Sequence, residues 1–544
     1  MKKTTVSMLA VTMMLSIVLS ACSKSSTTDG TANPTSPAAS TGTSTTAPVD
    51  TNKFAKKMTI TAYNAGGFTP TFQPPTNRDE DYIRVMLEKA VNIDLQMTVP
   101  TPDQIKPKLN TMIAGGDVPD MIFMTDYATA VQYYDQGITA DLDTALKDFP
   151  NYVKAFSQDN WDAKKYKGKT IGVPGYELVN GINGWWIRND WLTKLNLKAP
   201  TTPDELLEVM KAFTFNDPDG NGKQDTYGFT TGILKDGNFN YPGNSGFGWD
   251  AIMMMFGVVP NMVDSIDGKI TFDNTDPRMK EALTFMNKMI EAKVVDPDWV
   301  SQNDATALQN KMYSGKVGIV FQDWRQMELN IQKKMQDAGG SVPDWNVIPA
   351  MKGPHGDQLI GFAQFQGNAW AISKNAAKDP EKVKRILSLL QYWYTDPEAY
   401  NVSTLKGPKG ITWDLVDGKV VINKENLAKD DIVNKYNWSK NYALPRKGND
   451  ANYFNYTFPK TADFLAVNAA HVKSNKVNPF VVPDPNDTLY NDRIKFVNES
   501  FLKFILGKDP ISNWDNFVKT MDTKFDYANY KKNVISKLKE AGIE

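Results

Sequence analysis

Cysteine occurs once in these 544 residues, at Cys22, and histidine twice, at His355 and His471. A single cysteine excludes an intrachain disulfide and a thiolate cage for a metal. Two histidines far apart and outside any motif argue against a histidine-based triad or a zinc site; surface or packing roles account for both. Charge of one sign is missing as well: 61 Lys+Arg against 62 Asp+Glu leave a net charge of −1, so a nucleic-acid role has no electrostatic support. No apolar run after residue 21 is long enough to span a bilayer. Nucleophile motifs, phosphate loops, cofactor fingerprints and internal repeats are also absent from the sequence. Length, by contrast, allows two or more domains with large cores. Aromatics are dense, with 13 Trp, 21 Tyr and 26 Phe.

The first 53 residues are built differently from the rest. Lys2 and Lys3 precede an apolar stretch, Met8–Val18, closed by Leu19-Ser20-Ala21-Cys22. That is the layout of a signal peptide over residues 1–21. Residues 22–53 consist mainly of Ser, Thr, Ala, Gly and Pro, which cannot form a core and predict a flexible tether. Leu-Ser-Ala-Cys resembles the lipobox of bacterial lipoproteins, which implies cleavage before Cys22 and a lipid on its thiol. The alternative is an ordinary secretory peptide with an incidental cysteine.

The body opens with strands and helices in alternation. Lys57–Tyr63 alternates apolar and polar residues as a strand does, and so does Ile93–Val99. Between them, Ile83, Met86, Leu87 and Ala90 stripe a helix; Ile105, Leu109, Met112 and Ile113 stripe the next, stopped by Gly115-Gly116. Asp120–Met124 reads as a short buried strand. This βαβαβ order predicts parallel strands covered by helices, with ligands collecting at the carboxyl ends of the strands.

Gly168–Lys211 is the stretch around which the chain is organised. Thr170–Val173 and Trp185–Ile187 read as strands, joined by the polar, Gly-containing Tyr176–Asn183. A capping box follows, with Thr202 as N-cap, Pro203 at the first helical position and Glu205 reaching back. Beyond that helix, Asp217-Pro-Asp-Gly-Asn-Gly-Lys-Gln-Asp225 places oxygen donors at loop positions 1, 3, 5 and 9, with Gly222 at 6 and the Lys223 carbonyl at 7. This is the spacing of an EF-hand loop, which suits a hard cation such as calcium. Position 12 is Gly228, so the bidentate Glu is missing, and a plain Asx/Gly turn is the alternative.

The pattern GKTIGVP…WWIRNDW…L…PTTPDEL resembles the extracellular solute-binding proteins of sugar ABC importers, the maltose-binding-like group. KLNTMIAGGDVPDMIFM with QGITADLD, GKVGIVFQDW (Gly315–Trp324), DWNVIPAMKGPHGDQ (Asp344–Gln358), GNAWAISKNAAKDPEKVKRILSLLQYW (Gly367–Trp393) and the helix-rich end of the chain match the same family in order. The resemblance implies an α/β, two-lobed periplasmic-binding-protein-like fold (type II), each lobe a mixed, mainly parallel sheet flanked by helices. It puts residues 54–178 with about 325–405 in the first lobe, and 179–324 with about 406–544, a helix-rich C-terminal region included, in the second. It also implies a monomer at the outer face of the membrane, delivering an oligosaccharide to permease subunits. Calcium sites occur as structural elements in the larger oligosaccharide binders of this family, the alginate-binding proteins among them; there Glu often follows the loop, where this chain has Thr226.

By the same resemblance, loops from both lobes line one cleft. Asn64, Asp126 and Tyr127 come from the first lobe, Phe247, Trp249 and Trp324 from the second, and Glu177 and Trp185 from the crossing. Indole rings pack on the apolar faces of a pyranose while carboxylates and amides take its hydroxyls. Adjacent strand residues face opposite ways, so only one of Trp185 and Trp186 can point inward, and Trp185 is preferred. Trp161, Trp191, Trp393 and Trp514 are expected in packing roles. No catalytic constellation emerges; a secreted carbohydrate-active hydrolase is the alternative from another class, and a calcium-dependent adhesin lacks the all-β repeats it would need.

Overall fold

The computed structural model describes residues 54–65, 75, 77–175, 183–233, 248–303, 305–323, 327, 343–363, 369–404, 407–417, 419–429, 431, 432, 436, 442, 467–484 and 486–543. The signal segment, Cys22, the tether, Glu177, Phe247 and Trp324 lie outside the described residues.

The first lobe begins with β1 (Met58–Asn64), α1 (Tyr82–Val91), β2 (Ile93–Thr98), α2 (Ile105–Ala114), β3 (Met121–Met124) and α3 (Tyr127–Asp135). Short helices α4 (Pro150–Lys154) and α5 (Gln158–Asp162) precede β4 (Lys165–Tyr166), β5 (Lys169–Thr170) and β6 (Val173–Pro174). Asp81 and Asp126 accept hydrogen bonds from the third backbone N–H after them and so fix the starts of α1 and α3. The expected strand Thr170–Val173 is divided: β5 pairs with β4 in a hairpin, and only β6 joins the main sheet.

The second lobe starts with β7 (Asn183–Arg188), α6 (Asn189–Lys194), α7 (Pro203–Phe215), β8 (Tyr227–Phe229), α8 (Trp249–Met254), the hairpin β9 (Val263–Ile266) and β10 (Lys269–Phe272), and α9 (Pro277–Glu291). It continues with α10 (Ala305–Tyr313), β11 (Val317–Asp323) and β12 (Trp345–Ile348). The R-x-D of the crossing pattern is a brace where β7 turns into α6. Arg188 holds both carboxylate oxygens of Asp190, at 2.8 and 2.6 Å, and lies 4.4 Å over the Trp191 ring. Thr202 caps α7, but Glu205 reaches one residue further back than expected, accepting from Thr201 N at 2.8 Å and Thr201 Oγ1 at 2.6 Å. Helix α7 lies directly on the sheet because Gly318 makes room: a Cβ there would stand 2.2 Å from Phe213 Cδ2.

After β13 (Gly361–Ala363), β14 (Ala369–Ile372) enters the first sheet, followed by α11 (Pro380–Thr395), α12 (Pro397–Thr404) and the hairpin β15 (Trp413–Val416) and β16 (Lys419–Ile422). The chain ends with β17 (Val472–Ser474), α13 (Tyr490–Ile505), α14 (Trp514–Phe525) and α15 (Tyr527–Glu540).

The first sheet has the order β2-β1-β3-β14-β6, with β1, β2 and β3 mutually parallel and β14 antiparallel to β3 and β6. Both of its faces are covered, and β3 and β14 at its centre are apolar throughout. Met121, Phe123, Trp370 and Ile372 pack under α1 and α11 with Leu87, Ile386 and Leu390, while Ile122, Met124 and Ala371 join the other cluster. The second sheet has the order β12-β7-β11-β8, in which only β7 opposes its neighbours.

Two lobe assignments differ from expectation. Trp345–Ile348 pairs with β7 in the second sheet, not with the first lobe, because its register with Trp185–Arg188 buries Trp345 and Ile348 there. The return to the first lobe therefore falls between β12 and β14. Conversely, Trp413, Val420 and Tyr442 pack in the first lobe's cluster with Trp393 and Tyr394, and Asp81 bonds the Tyr442 hydroxyl. Residues 407–442, where described, thus belong to the first lobe, and the second lobe's C-terminal share is α13–α15, with α13 packed on α9 and Asn287 of α9 donating to the Ile505 carbonyl.

Candidate functional site

Strand direction locates the cleft. In the first sheet β1, β3 and β6 all run toward one edge, where Asn64 lies beside Phe123 and Ala369 lies between Met124 and Pro174. The chain leaves this edge at Gly175 toward β7 and re-enters it at Ala369. In the second sheet β7 starts where β11 ends, Asn183 opposite Asp323, and β8 and β12 end on the same side. The edge of each sheet that receives the crossings is thus the edge at which strand ends expose backbone and loops to a ligand.

A third segment ties the lobes together. Lys473 Nζ meets the buried Asp264 at 2.6 Å, and Asn475 Nδ2 and Asn478 Oδ1 bond the carbonyl and amide of Val263 in the second lobe. Phe480 packs edge-on against Tyr127 of the first lobe, with ring centroids 4.8 Å apart. Lys476 meets Asp159 of α5 at 3.3 Å.

The residues expected to bind ligand are placed as follows. Asn64 ends β1 at the cleft edge and is buried. Asp126 is exposed beside it, but its carboxylate caps α3, accepting from Thr129 N at 2.7 Å and Thr129 Oγ1 at 2.9 Å. Tyr127 is buried and its hydroxyl donates to the Lys165 carbonyl at 2.7 Å; burial raises its pKa. Trp185 and Trp249 are both 0 % exposed. Trp185 lies against Phe229 and Phe321, and Trp249 against Phe229 and Trp299, so neither offers a ring face to a sugar in this arrangement. Trp186 faces the other side of β7, equally buried, its Nε1 donating to the Gln322 carbonyl. Crossing indoles that looked like stacking platforms are packed as core because the strand carrying them is central in its sheet.

Comparison with known proteins agrees with this architecture. The sequence profile of the bacterial extracellular solute-binding proteins matches residues 83–427. The chain belongs to that family. Among relatives of this solute-binding protein, lipoprotein LipO of Bacillus subtilis is 29% identical over 361 residues, 64% of this chain and 67% of LipO. The polygalacturonan/rhamnogalacturonan-binding protein YtcQ of the same organism is 28% identical over 361 residues, 66% of this chain and 68% of YtcQ. Among solved structures, a solute-binding protein from Bifidobacterium longum infantis described as binding HMO superposes with TM-score 0.67 at 18% identity, covering 89% of this chain and 98% of its own. The fructo-nystose complex of a FusA EF-hand mutant from Streptococcus pneumoniae (TM-score 0.58, 18% identity, 90% and 99% covered) and the alginate-binding protein AlgQ2 without calcium ion (TM-score 0.60, 16% identity, 89% and 97% covered) share the two-lobed fold.

The acidic loop of this solute-binding protein lies between α7 and β8. Gly222 has φ +75, which lets the chain fold back on Asp217. Asp217 accepts from the N–H groups of Gly220, Asn221 and Gly222 at 3.0–3.1 Å. Asn221 Nδ2 bridges Asp219 at 2.9 Å and Asp225 at 3.1 Å, although among the described residues no three acidic side chains converge as a ready cation cage. Burial, with Asp217 and Asp225 nearby, raises the Asp219 pKa, while Lys316 at 2.8 Å helps hold Asp225 down. The donors are oxygens at EF-hand spacing, the chemistry a hard cation takes, and a cation would relieve the repulsion between Asp217, Asp219 and Asp225. The Lys223 side chain is not needed; its carbonyl is the group at the matching loop position.

Several polar groups at the junction carry no sequence signal. Asp250 opens α8 behind Gly248, whose N–H bonds Thr231 Oγ1 at 2.9 Å, and burial pushes its carboxyl up to about 7. Asn183 Oδ1, shielded at the start of β7, accepts no hydrogen bond among the described residues. Both are ordinary residues whose environment comes from strands distant in sequence. A cavity of ≈ 420 Å³ also opens between α5–β4, the segment 475–480 and the C-terminal residues 541–543, with Phe480, Ala163 and Ile543 as its apolar floor. Its lining Phe480 and Lys476 belong to the segment that ties the lobes together, Phe480 packing on Tyr127 and Lys476 meeting Asp159.

Proposed function

We propose that this solute-binding protein captures an oligosaccharide outside the cell and hands it, uncut, to an ABC permease. What carries the reading is the convergence of both sheets' strand ends on the chain crossings, within a family of binding proteins. The cleft between two lobes joined by a few crossings can close around a ligand. A ligand favours closure only through contacts made to both lobes at once, since it shifts an equilibrium by its differential affinity alone. Asn64 and the Asp126 loop supply the first lobe's polar wall, and Asp250 and the β8 end the second's. Stacking rings come from Phe247 and Trp324, with Glu177 at the crossing. A plant or microbial saccharide of several units suits the relatives, YtcQ being named for pectic polymers and FusA for fructo-oligosaccharides.

Two further parts of the reading concern placement and bracing. Cys22 carries the lipid anchor and residues 22–53 the tether, in keeping with the lipoprotein relative. Calcium is held by Asp217, Asp219, Asn221, the Lys223 carbonyl and Asp225; when bound it supplies charge compensation that stiffens the turn between α7 and β8.

Thermal-shift screening against kestose, nystose, tetragalacturonate and an alginate tetramer, with chromatography of each sugar afterwards, tests the proposal. A ligand at 100 times its dissociation constant stabilises by about 2.7 kcal/mol. Shortened products in the incubated sugar would replace the receptor with the hydrolase; no shift with any saccharide would remove the carbohydrate reading.

A further inference from the structure

The segments that leave or enter the cleft edge differ in composition from the rest of the chain. They are residues 65–77 after β1, 175–182 at the crossing to β7, 230–248 between β8 and α8, and 364–368 ahead of β14. Of these 45 residues only Glu177, Lys235 and Asp236 are charged, whereas 23% of the whole chain is. Seven are aromatic and nine are Asn or Gln.

Two further carboxyls stand at the same edge. Asp126 is exposed just past β3. Gly248 N–H meets Thr231 Oγ1, and a Cβ on Gly248 would stand 2.7 Å from Phe229 Cζ at the end of β8 and 3.2 Å from Phe321 Cβ of β11. Helix α8 therefore starts against the ends of those strands. Asp250, in its first turn, is open to solvent in part, yet burial raises its carboxyl, which is the environment of a concave wall. Arg325, two residues past the end of β11, is matched in sequence by Asp323 at that end.

This inventory favours one kind of sugar. A polyuronate carries a carboxylate on every unit, and each one, when enclosed, needs a cation or several N–H donors. The four segments offer Lys235 as their one cation, against Glu177 and Asp236 within them and Asp126 and Asp250 beside them. Rings and side-chain amides are what an uncharged sugar uses: its C–H faces pack on rings, and an amide both gives and takes hydrogen bonds with its hydroxyls.

We infer that the cleft selects uncharged oligosaccharides and rejects polyuronates such as galacturonan and alginate. The inference rests on the oligosaccharide reading above and narrows it to one substrate class. Rejection has two sources: like charges brought together in the cleft, and uronate carboxylates stripped of water without a partner. YtcQ, named for pectic polymers, then shares this chain's family and not its ligand class.

Calorimetry with nystose, cellotetraose, tetragalacturonate, its methyl ester and an alginate tetramer tests the selection, at about pH 7.5, above the Asp250 value. An uncharged tetramer binds at least about tenfold more tightly than either acidic one, and Asp250→Asn, which keeps the shape and removes the charge, narrows that ratio by about tenfold. The wild-type comparison stands without the variant, should Asp250→Asn fold poorly. Tetragalacturonate or the alginate tetramer binding as tightly as the uncharged sugars overturns the inference and keeps the oligosaccharide reading. An unchanged ratio in folded Asp250→Asn overturns the part given to that carboxyl. Failure of all five sugars to bind removes the oligosaccharide reading, and this inference with it.

Discussion

Replacing Trp249 by alanine separates a packing role from a binding role. The indole is fully enclosed, 5.1 Å from the Trp299 ring and 6.1 Å from that of Phe229. Truncating a buried Trp or Phe to Ala costs about 3–5 kcal/mol, to which two aromatic contacts add roughly 0.5–1.5 kcal/mol each if they are lost completely. Partial collapse of the site recovers some of this, so about 4–5 kcal/mol is expected. Against an unfolding entropy typical of a lobe this size, that lowers Tm by roughly 10–15 °C. Trp249→Phe keeps the ring contacts and removes an indole N–H that bonds nothing among the described residues, so it should cost much less. Urea denaturation followed by fluorescence measures both variants, and calorimetry on folded protein reads any loss of sugar binding. If Trp249→Ala unfolds at the wild-type midpoint and loses only ligand affinity, the ring is a stacking platform and the packing argument is wrong.

Asp273 is 1 % exposed, and burial, with Asp264 nearby, pushes its carboxyl up to about 8, against the opposing Val259 amide and Arg278. Between about pH 4 and that value the native state keeps a proton the unfolded state has released, so stability falls as pH rises, by about 1.4 kcal/mol per unit. Asp273→Asn should flatten that fall, seen as urea midpoints measured from about pH 4 to 8; parallel curves for both proteins would refute it. Chelator should lower the Tm of the wild type, and Asp219→Ala should abolish most of the response; a wild-type melt indifferent to both calcium and chelator leaves the loop as a turn only. Cys22→Ala should release the protein from membranes with its melting curve unchanged, and membrane retention of the variant would remove the anchor.

Local and sequential features were legible in the chain itself. Thr202 announced a helix start because capping depends on neighbours within about three residues, whereas the cap made by Asp126, read as a ligand group, went unseen. The alternation in Met58–Asn64 and the apolar run in Met121–Met124 marked strands, since period-two patterning follows from backbone geometry. The crossing pattern and the order of motifs likewise sufficed for the two-lobed solute-binding fold. Tertiary structure alone decided which sheet received Trp345–Ile348, because its pairing partners on β7 lie far back in the chain. It decided too which lobe kept Trp413 and Tyr442, which join the first lobe's cluster, Tyr442 bonding Asp81 near the start of the body. It also decided that Trp185 and Trp249 face the core, and that Asn475 is bonded to the Val263 carbonyl. A residue's burial and hydrogen-bond partners are set by elements distant in sequence, and no local pattern encodes them.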